Sequence, residues 1–136
     1  MKKLPLAIAF GALSVLGAVS ASQVVLAQAE TVDQTVLMSE GGPLYERNCQ
    51  ACHGAGGEGG IGERLIGSPV VGSTGGVVNQ ILLGAVEHGM PPFNRLSDRE
   101  IAAISTYVRN SFTNAFGPVQ PSEVTAIRAA AAGAGG

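Results

Sequence analysis

Two cysteines and a histidine stand in the order C-x-x-C-H at residues 49–53, and this motif constrains the fold more than any other feature of the chain. Cysteines three residues apart on a helical turn lie on one side of the helix, and the histidine that follows points close to the same direction. The spacing is typical of covalent haem attachment, in which Cys49 and Cys52 form thioethers and His53 ligates the iron. The motif therefore predicts electron transfer on a haem held by a helical domain.

The chain has 136 residues and two cysteines, both of which belong to the motif. A chain of this length has room for one small domain. No third cysteine is left for a structural disulfide, for lipid attachment or for a four-thiolate metal site. Because C-x-x-C-H occurs once, the sequence predicts one covalently bound haem c per chain.

The N-terminus has the pattern of a secretory signal peptide. Residues 1–3 read MKK, an apolar run covers residues 4–19, and the small-residue pattern AQA stands at residues 27–29. We predict cleavage after Ala29 and export to the periplasm, outside the reducing cytoplasm. The competing interpretation is an uncleaved segment that anchors the protein, because the apolar stretch is nearly long enough to span a bilayer.

Removal of residues 1–29 leaves no lysine, six arginines and ten acidic residues, a formal net charge of −4. This acidic balance argues against nucleic acid and against anionic lipid as partners. It favours redox partner proteins, an electron donor and an acceptor, that dock through a basic or largely apolar surface. Plain solubility explains the same balance equally well.

Four segments follow from the pattern along the chain: a signal peptide at 1–29, a flexible leader at 30–40, a haem domain at 41–114 and a C-terminal extension at 115–136. The leader lacks clear periodicity. The extension contains glycine and prolines, a weakly helical stretch over 122–128 and an Ala/Gly tail, so we expect it to be frayed and dispensable for redox chemistry.

Three helices are predicted within the haem domain. The first begins at Pro43 and carries the motif, and the second covers Val77–Glu87 with its apolar face over the haem. The third begins at the capping box formed by Ser97 and Glu100 and continues to about Phe112. Ten of the 23 residues over 54–76 are glycine, which predicts an irregular loop that wraps closely around a flat cofactor.

A second axial ligand is expected for an electron-transfer haem, and the candidates are Met38, His88 and Met90. Met90 is favoured because it follows Gly89 and precedes two prolines, which stiffen the segment that must hold a weakly binding thioether. Met38 falls in the leader without such support. His88 is the minority alternative and would give a site with two histidine ligands.

The order of C-x-x-C-H, a downstream MPPF and a terminal amphipathic helix resembles that of the monohaem class I c-type cytochromes over about residues 41–114. The closest likeness is to the small bacterial periplasmic branch, with its CHGxxGxG start and its MPPF…LSDxEIAAxxTYVRNS end. The resemblance implies an all-α fold of three to five short helices around one covalently attached haem, with the N- and C-terminal helices crossing. It also implies that Gly41, Tyr45 and Tyr107 pack at this crossing. The chain has ERLIGS at residues 63–68 where the branch has Pro-Pro-Leu before Gly-Ser, so the carbonyl that orients His53 has no assignment from sequence.

These observations predict a periplasmic single-electron carrier with Cys49 and Cys52 as haem anchors and His53 and Met90 as axial ligands, and not an enzyme. The alternative of the same class is a dedicated haem c subunit of a periplasmic or membrane-bound dehydrogenase or oxidase. Other classes fit less well. A thioredoxin-like dithiol lacks its strands, a zinc site from Cys49, Cys52, His53 and His88 is strained by the two adjacent ligands, and a gas sensor or haem enzyme needs an open sixth position.

Overall fold

The computed structural model describes residues 30–134, and within this range the chain forms six α-helices, one turn of 3-10 helix and no strands. In chain order the helices are α1 (Gln34–Asn48), α2 (Gln50–His53), α3 (Pro69–Gly72), α4 (Thr74–Leu83), the 3-10 turn Val86–His88, α5 (Asp98–Asn110) and α6 (Pro121–Gly133). The predicted all-α class is confirmed. The predicted signal peptide lies outside the described residues, and no helix in the described range is both long and apolar enough to cross a membrane.

The core of the fold is the crossing of α1 and α5. Gly41 lies against α5 so closely that an added Cβ would stand 2.7 Å from the Cβ of Tyr107 and nearer still to the carbonyl oxygen of Ala103. Tyr45, one turn later on α1, is buried and its ring centroid is 5.5 Å from that of Tyr107. The packing of these residues at the helix crossing, which the resemblance implied, is confirmed.

The prediction of an irregular leader over residues 30–40 is wrong from Gln34 onward, because α1 begins nine residues before Pro43. Asp33 caps the helix by accepting a hydrogen bond from the backbone N–H of Thr35 at 2.7 Å, and Leu37 is fully buried. Proline disfavours helical backbone at the residue before it through a clash with that residue's Cβ. Here that residue is Gly42, which has no Cβ, so Pro43 is accommodated inside the helix.

Short helices also replace part of the predicted glycine-rich loop, which contains α3 and the start of α4. Ser68 and Ser73 cap them, accepting from the backbone N–H groups of Val71 and Gly76. The predicted helix over Val77–Glu87 ends early, because Gly84 adopts φ = 69°, a left-handed conformation that terminates helices. Val86, an apolar residue inside the predicted helix, is consequently 68% exposed.

The capping box that begins α5 is confirmed, with the Ser97 hydroxyl accepting from the N–H of Glu100 and the Glu100 carboxylate accepting from the N–H of Ser97. The expectation of a frayed C-terminal extension is wrong. Val119 and Val124 are fully buried in the core, and Arg128 on α6 forms a 2.8 Å ion pair with Asp98 at the start of α5. The extension is a packed part of the domain, and α6 covers one side of α5.

Candidate functional site

A cavity of about 880 Å³ opens between α1, α2, the glycine-rich loop, α4 and the segment that follows it. Cys49, Cys52, His53 and Met90, the four predicted site residues, all line this cavity, and so does His88. Met38 is not among the lining residues. The fold therefore brings together Cys49 and Met90, which are 41 positions apart in sequence. The remaining candidate ligand, Met38, lies on α1.

The two cysteines belong to the single turn of α2 and its cap. Cys49 caps this turn, Cys52 lies within it, and both are free and half-buried. Burial, and secondarily the proximity of Cys52, raises the pKa of the Cys49 thiol to about 11. The pocket around Cys49 thus disfavours a thiolate and suits an uncharged sulfur such as a thioether.

His53 is oriented by the main chain of the glycine-rich loop. Its Nδ1 is 2.6 Å from the carbonyl oxygen of Glu63, and because a carbonyl only accepts, Nδ1 carries a proton, which makes Nε2 the nitrogen that can ligate iron. Gly62 lies over the ring, where an added Cβ would be 2.9 Å from His53 Cε1. The loop can therefore approach the imidazole only with glycine at this position.

The Glu63 carbonyl is the partner of His53 that the sequence left unassigned. A backbone acceptor carries no signature in the identity of its residue, so no motif could have indicated it. The nearest sequence signal is Gly62, whose N–H also donates to the carbonyl of Cys52 at 2.9 Å. This bond ties the loop to the turn that carries the motif.

Met90 lies in the segment that follows α4 and is held there through its backbone. It exchanges two hydrogen bonds with Ala85, at 2.9 and 3.1 Å, and an added Cβ on Gly84 would come within 2.5 Å of the Met90 carbonyl oxygen. The Met90 sulfur accepts a hydrogen bond from Gln80 Nε2 at 3.6 Å. Gln80 was not predicted as part of the site, because as one polar residue in a helical pattern it gives no signal of its own.

Tyr45 connects the cavity to an aromatic cluster on the side of α1. Tyr45 lines the cavity and donates its hydroxyl to the carbonyl of Gly54 at 2.6 Å, and its ring packs against those of Tyr107 and Phe112 at 5.5 and 5.3 Å. Burial raises the pKa of the Tyr45 phenol above its usual value. The side chain therefore stays neutral and ties α1 to the residue that follows the motif.

The donor set and the walls of the cavity fit a haem. The volume lies within the range of about 300–1,000 Å³ typical of cofactor sites, and aliphatic side chains of α3, α4 and α5 form part of the lining, namely Val70, Val71, Val77, Ile81, Ile104 and Val108. An imidazole nitrogen and a thioether are axial ligands used by c-type cytochromes. Within residues 30–134, no group of three or more His, Cys, Asp or Glu side chains is placed to hold a metal ion.

Comparison with known protein families shows that the chain matches the model described as "Cytochrome C oxidase, cbb3-type, subunit III". It covers residues 37–108, or 72 of the 136 residues. No curated protein matches the chain. The matched range begins within α1 and ends two residues before the end of α5, so it contains every residue named above that lines the cavity.

Proposed function

Because the chain belongs to the family of cytochrome c oxidase, cbb3-type, subunit III, and is therefore a c-type cytochrome that transfers electrons on haem, we propose that it is a periplasmic single-electron carrier. The helices of the described residues and this family membership both agree with the class I cytochrome c fold that the resemblance implied. The observation that carries the proposal is the joint lining of one cavity by Cys49, Cys52, His53 and Met90. We propose one covalently bound haem per chain, with His53 and Met90 as axial ligands.

Each residue has a distinct task in this proposal. Cys49 and Cys52 anchor the haem, which when bound supplies an iron that alternates between the ferric and ferrous states. The Glu63 carbonyl fixes the orientation of His53, and the bridge between Ala85 and Met90 fixes the backbone that carries the thioether. The apolar wall limits access of water to the iron, which together with methionine ligation raises the reduction potential.

The location and partners of the carrier are also proposed. Cleavage after Ala29 would release an acidic domain into the periplasm, where a redox partner would meet it through a basic or apolar surface. The alternative is a dedicated subunit of an oxidase or dehydrogenase, and the description of the matched family favours an oxidase. Fractionation of native cells distinguishes the two, since a free carrier elutes alone from the periplasmic fraction and a subunit co-purifies with its complex.

The coordination is tested by the optical spectrum of the matured protein, oxidised and then reduced. A c-type reduced spectrum, a mass equal to the chain plus one haem under denaturing conditions, and the weak near-infrared thioether-to-iron band of the ferric form are expected. Met90→Ala should lose this band and shift the potential to more negative values, because a thioether ligand favours ferrous iron and a water or nitrogen ligand in its place favours it less.

Met38→Ala is the matched control, since Met38 is a half-buried methionine on α1 that does not line the cavity. It should leave both spectrum and potential unchanged. Survival of the thioether band in Met90→Ala would refute the proposed ligand, and its loss in His88→Ala alone would indicate a role for His88. Absence of covalent haem would overturn the proposed function as a whole.

A further inference from the structure

Gln80 is the one polar side chain that α4 contributes to the cavity. It lies between Val77 and Ile81 on the face of the helix that lines the cavity, and it is half-buried. Its neighbour Asn79 is exposed and does not line the cavity. A polar amide on a buried apolar face lowers stability unless it finds a partner, and the partner of Gln80 is the Met90 sulfur at 3.6 Å. Sulfur is larger than oxygen, so this separation is a hydrogen-bonding contact.

The pair is held in place by the backbone on both sides. The carbonyl of Gln80 accepts from the N–H of Gly84 at 2.9 Å, and the Ala85 pair then fixes Met90. Gly84 permits this tight reversal because of its left-handed φ and the close approach of the Met90 carbonyl. The amide and the thioether are ten positions apart in sequence, and the backbone hydrogen bonds of Gly84 and Ala85 bring them together.

We infer that Gln80 is a positioning residue for the Met90 thioether, and that its N–H, donated to one sulfur lone pair, directs the other lone pair to the iron and tunes the reduction potential. This inference rests on the proposed function. An N–H dipole aimed at the ligand sulfur withdraws electron density from it, and the resulting weaker donor favours the ferrous over the ferric state. Gln80 thus raises the potential without touching the iron.

The test compares Gln80→Leu with Asn79→Leu in the haem-loaded protein. Both replace an amide on α4 by the same aliphatic side chain, but only Gln80→Leu removes the donor to sulfur. We expect Gln80→Leu to keep the thioether band with a shifted maximum, and to change the redox equilibrium by about two- to tenfold toward the ferric state, at 59 mV per tenfold change for one electron. Asn79→Leu should leave band and potential as in the wild type.

Gln80→Glu serves as a second variant of the same length as the wild-type side chain, and it is informative if Gln80→Leu does not mature with haem. Its ionised carboxylate has no proton to donate, so the potential should again become more negative. If Gln80→Leu has the same potential as Asn79→Leu, the inference is overturned and the His53 and Met90 ligation stands. Gln80→Glu replaces Gln80→Leu in this comparison if Gln80→Leu does not mature with haem. Absence of the thioether band from the wild-type protein would instead overturn the ligation itself, and the role of Gln80 with it.

Discussion

Replacement of Gly41 by alanine tests whether the crossing of α1 and α5 sets the stability of the domain. The new Cβ would lie 2.7 Å from the Cβ of Tyr107 and closer still to the carbonyl oxygen of Ala103, whereas ordinary carbon contacts lie at about 3.5–4.0 Å. The second of these neighbours is backbone, so the clash is relieved only if the helices separate. Overpacking of this kind costs about 1–3 kcal/mol, and the backbone contact places Gly41→Ala near the upper end of this range.

Helix propensity acts in the opposite direction, since alanine is more favourable than glycine inside a helix by about 1 kcal/mol. The net loss in the free energy of unfolding is therefore about 2 kcal/mol, equivalent to a fall in Tm of about 10 °C for a domain of this size. Thermal unfolding of the ferric haem protein, followed by circular dichroism, measures this change. A second glycine-to-alanine substitution, in another helix, separates the clash from the propensity.

Gly75→Ala is the control, because Gly75 also lies inside a helix, α4, and gains a similar propensity. An added Cβ at Gly75 would meet no atom within 4 Å. Gly42→Ala is not suitable, since a Cβ directly before Pro43 would clash with the proline ring. We expect Gly75→Ala to melt at or slightly above the wild-type temperature. If Gly41→Ala melts as high as Gly75→Ala, close approach of the two helices at Gly41 does not determine the stability of the domain.

Two further substitutions test features outside the cavity. Thr113 has φ = 71°, and a left-handed residue with a Cβ costs about 1–2 kcal/mol, whereas glycine loses about 0.5–1 kcal/mol in entropy. Thr113→Gly should therefore raise the free energy of unfolding by about 0.5–1 kcal/mol. Thr113→Ala is the control, because alanine retains the strain. Asp98 accepts from the Thr125 hydroxyl and from Arg128, which lower its pKa below 3.8, so its contribution is present above pH 3.8 and is lost as the pH falls below that value. Asp98→Asn should thus destabilise by about 1 kcal/mol near neutral pH and by progressively less in acid, and a pH-independent difference in urea midpoints would refute the ionic origin.

Features that depend on side chains near in sequence were predicted correctly. The capping box at Ser97 and Glu100 defines the start of α5 because both of its hydrogen bonds form within one turn. The C-x-x-C-H motif likewise identifies its own helical turn. In both cases the interacting groups lie within four residues of each other, so the sequence pattern and the structure describe the same geometry.

Features that depend on distant packing were predicted less well. The start of α1 was missed because Pro43 suggested a helix beginning, whereas Asp33 caps the helix and burial of Leu37 stabilises its first turns. The α6 segment looked frayed because its own pattern is weak. Its order comes instead from Val124 in the core and from Arg128, which donates to two backbone carbonyls and to Asp98. Tertiary contacts of this kind routinely override local propensity.

The departure from the family pattern at residues 63–68 shows why a backbone function leaves little trace in sequence. His53 requires an acceptor for its Nδ1 proton, and the main-chain carbonyl of Glu63 provides it. The substitution of side chains at this position therefore changes local charge without removing the hydrogen bond. What the loop requires is a residue without a Cβ directly before the acceptor, because Gly62 lies against the imidazole ring. The glycine, and not the residue that supplies the carbonyl, is the position at which sequence constrains the orientation of His53.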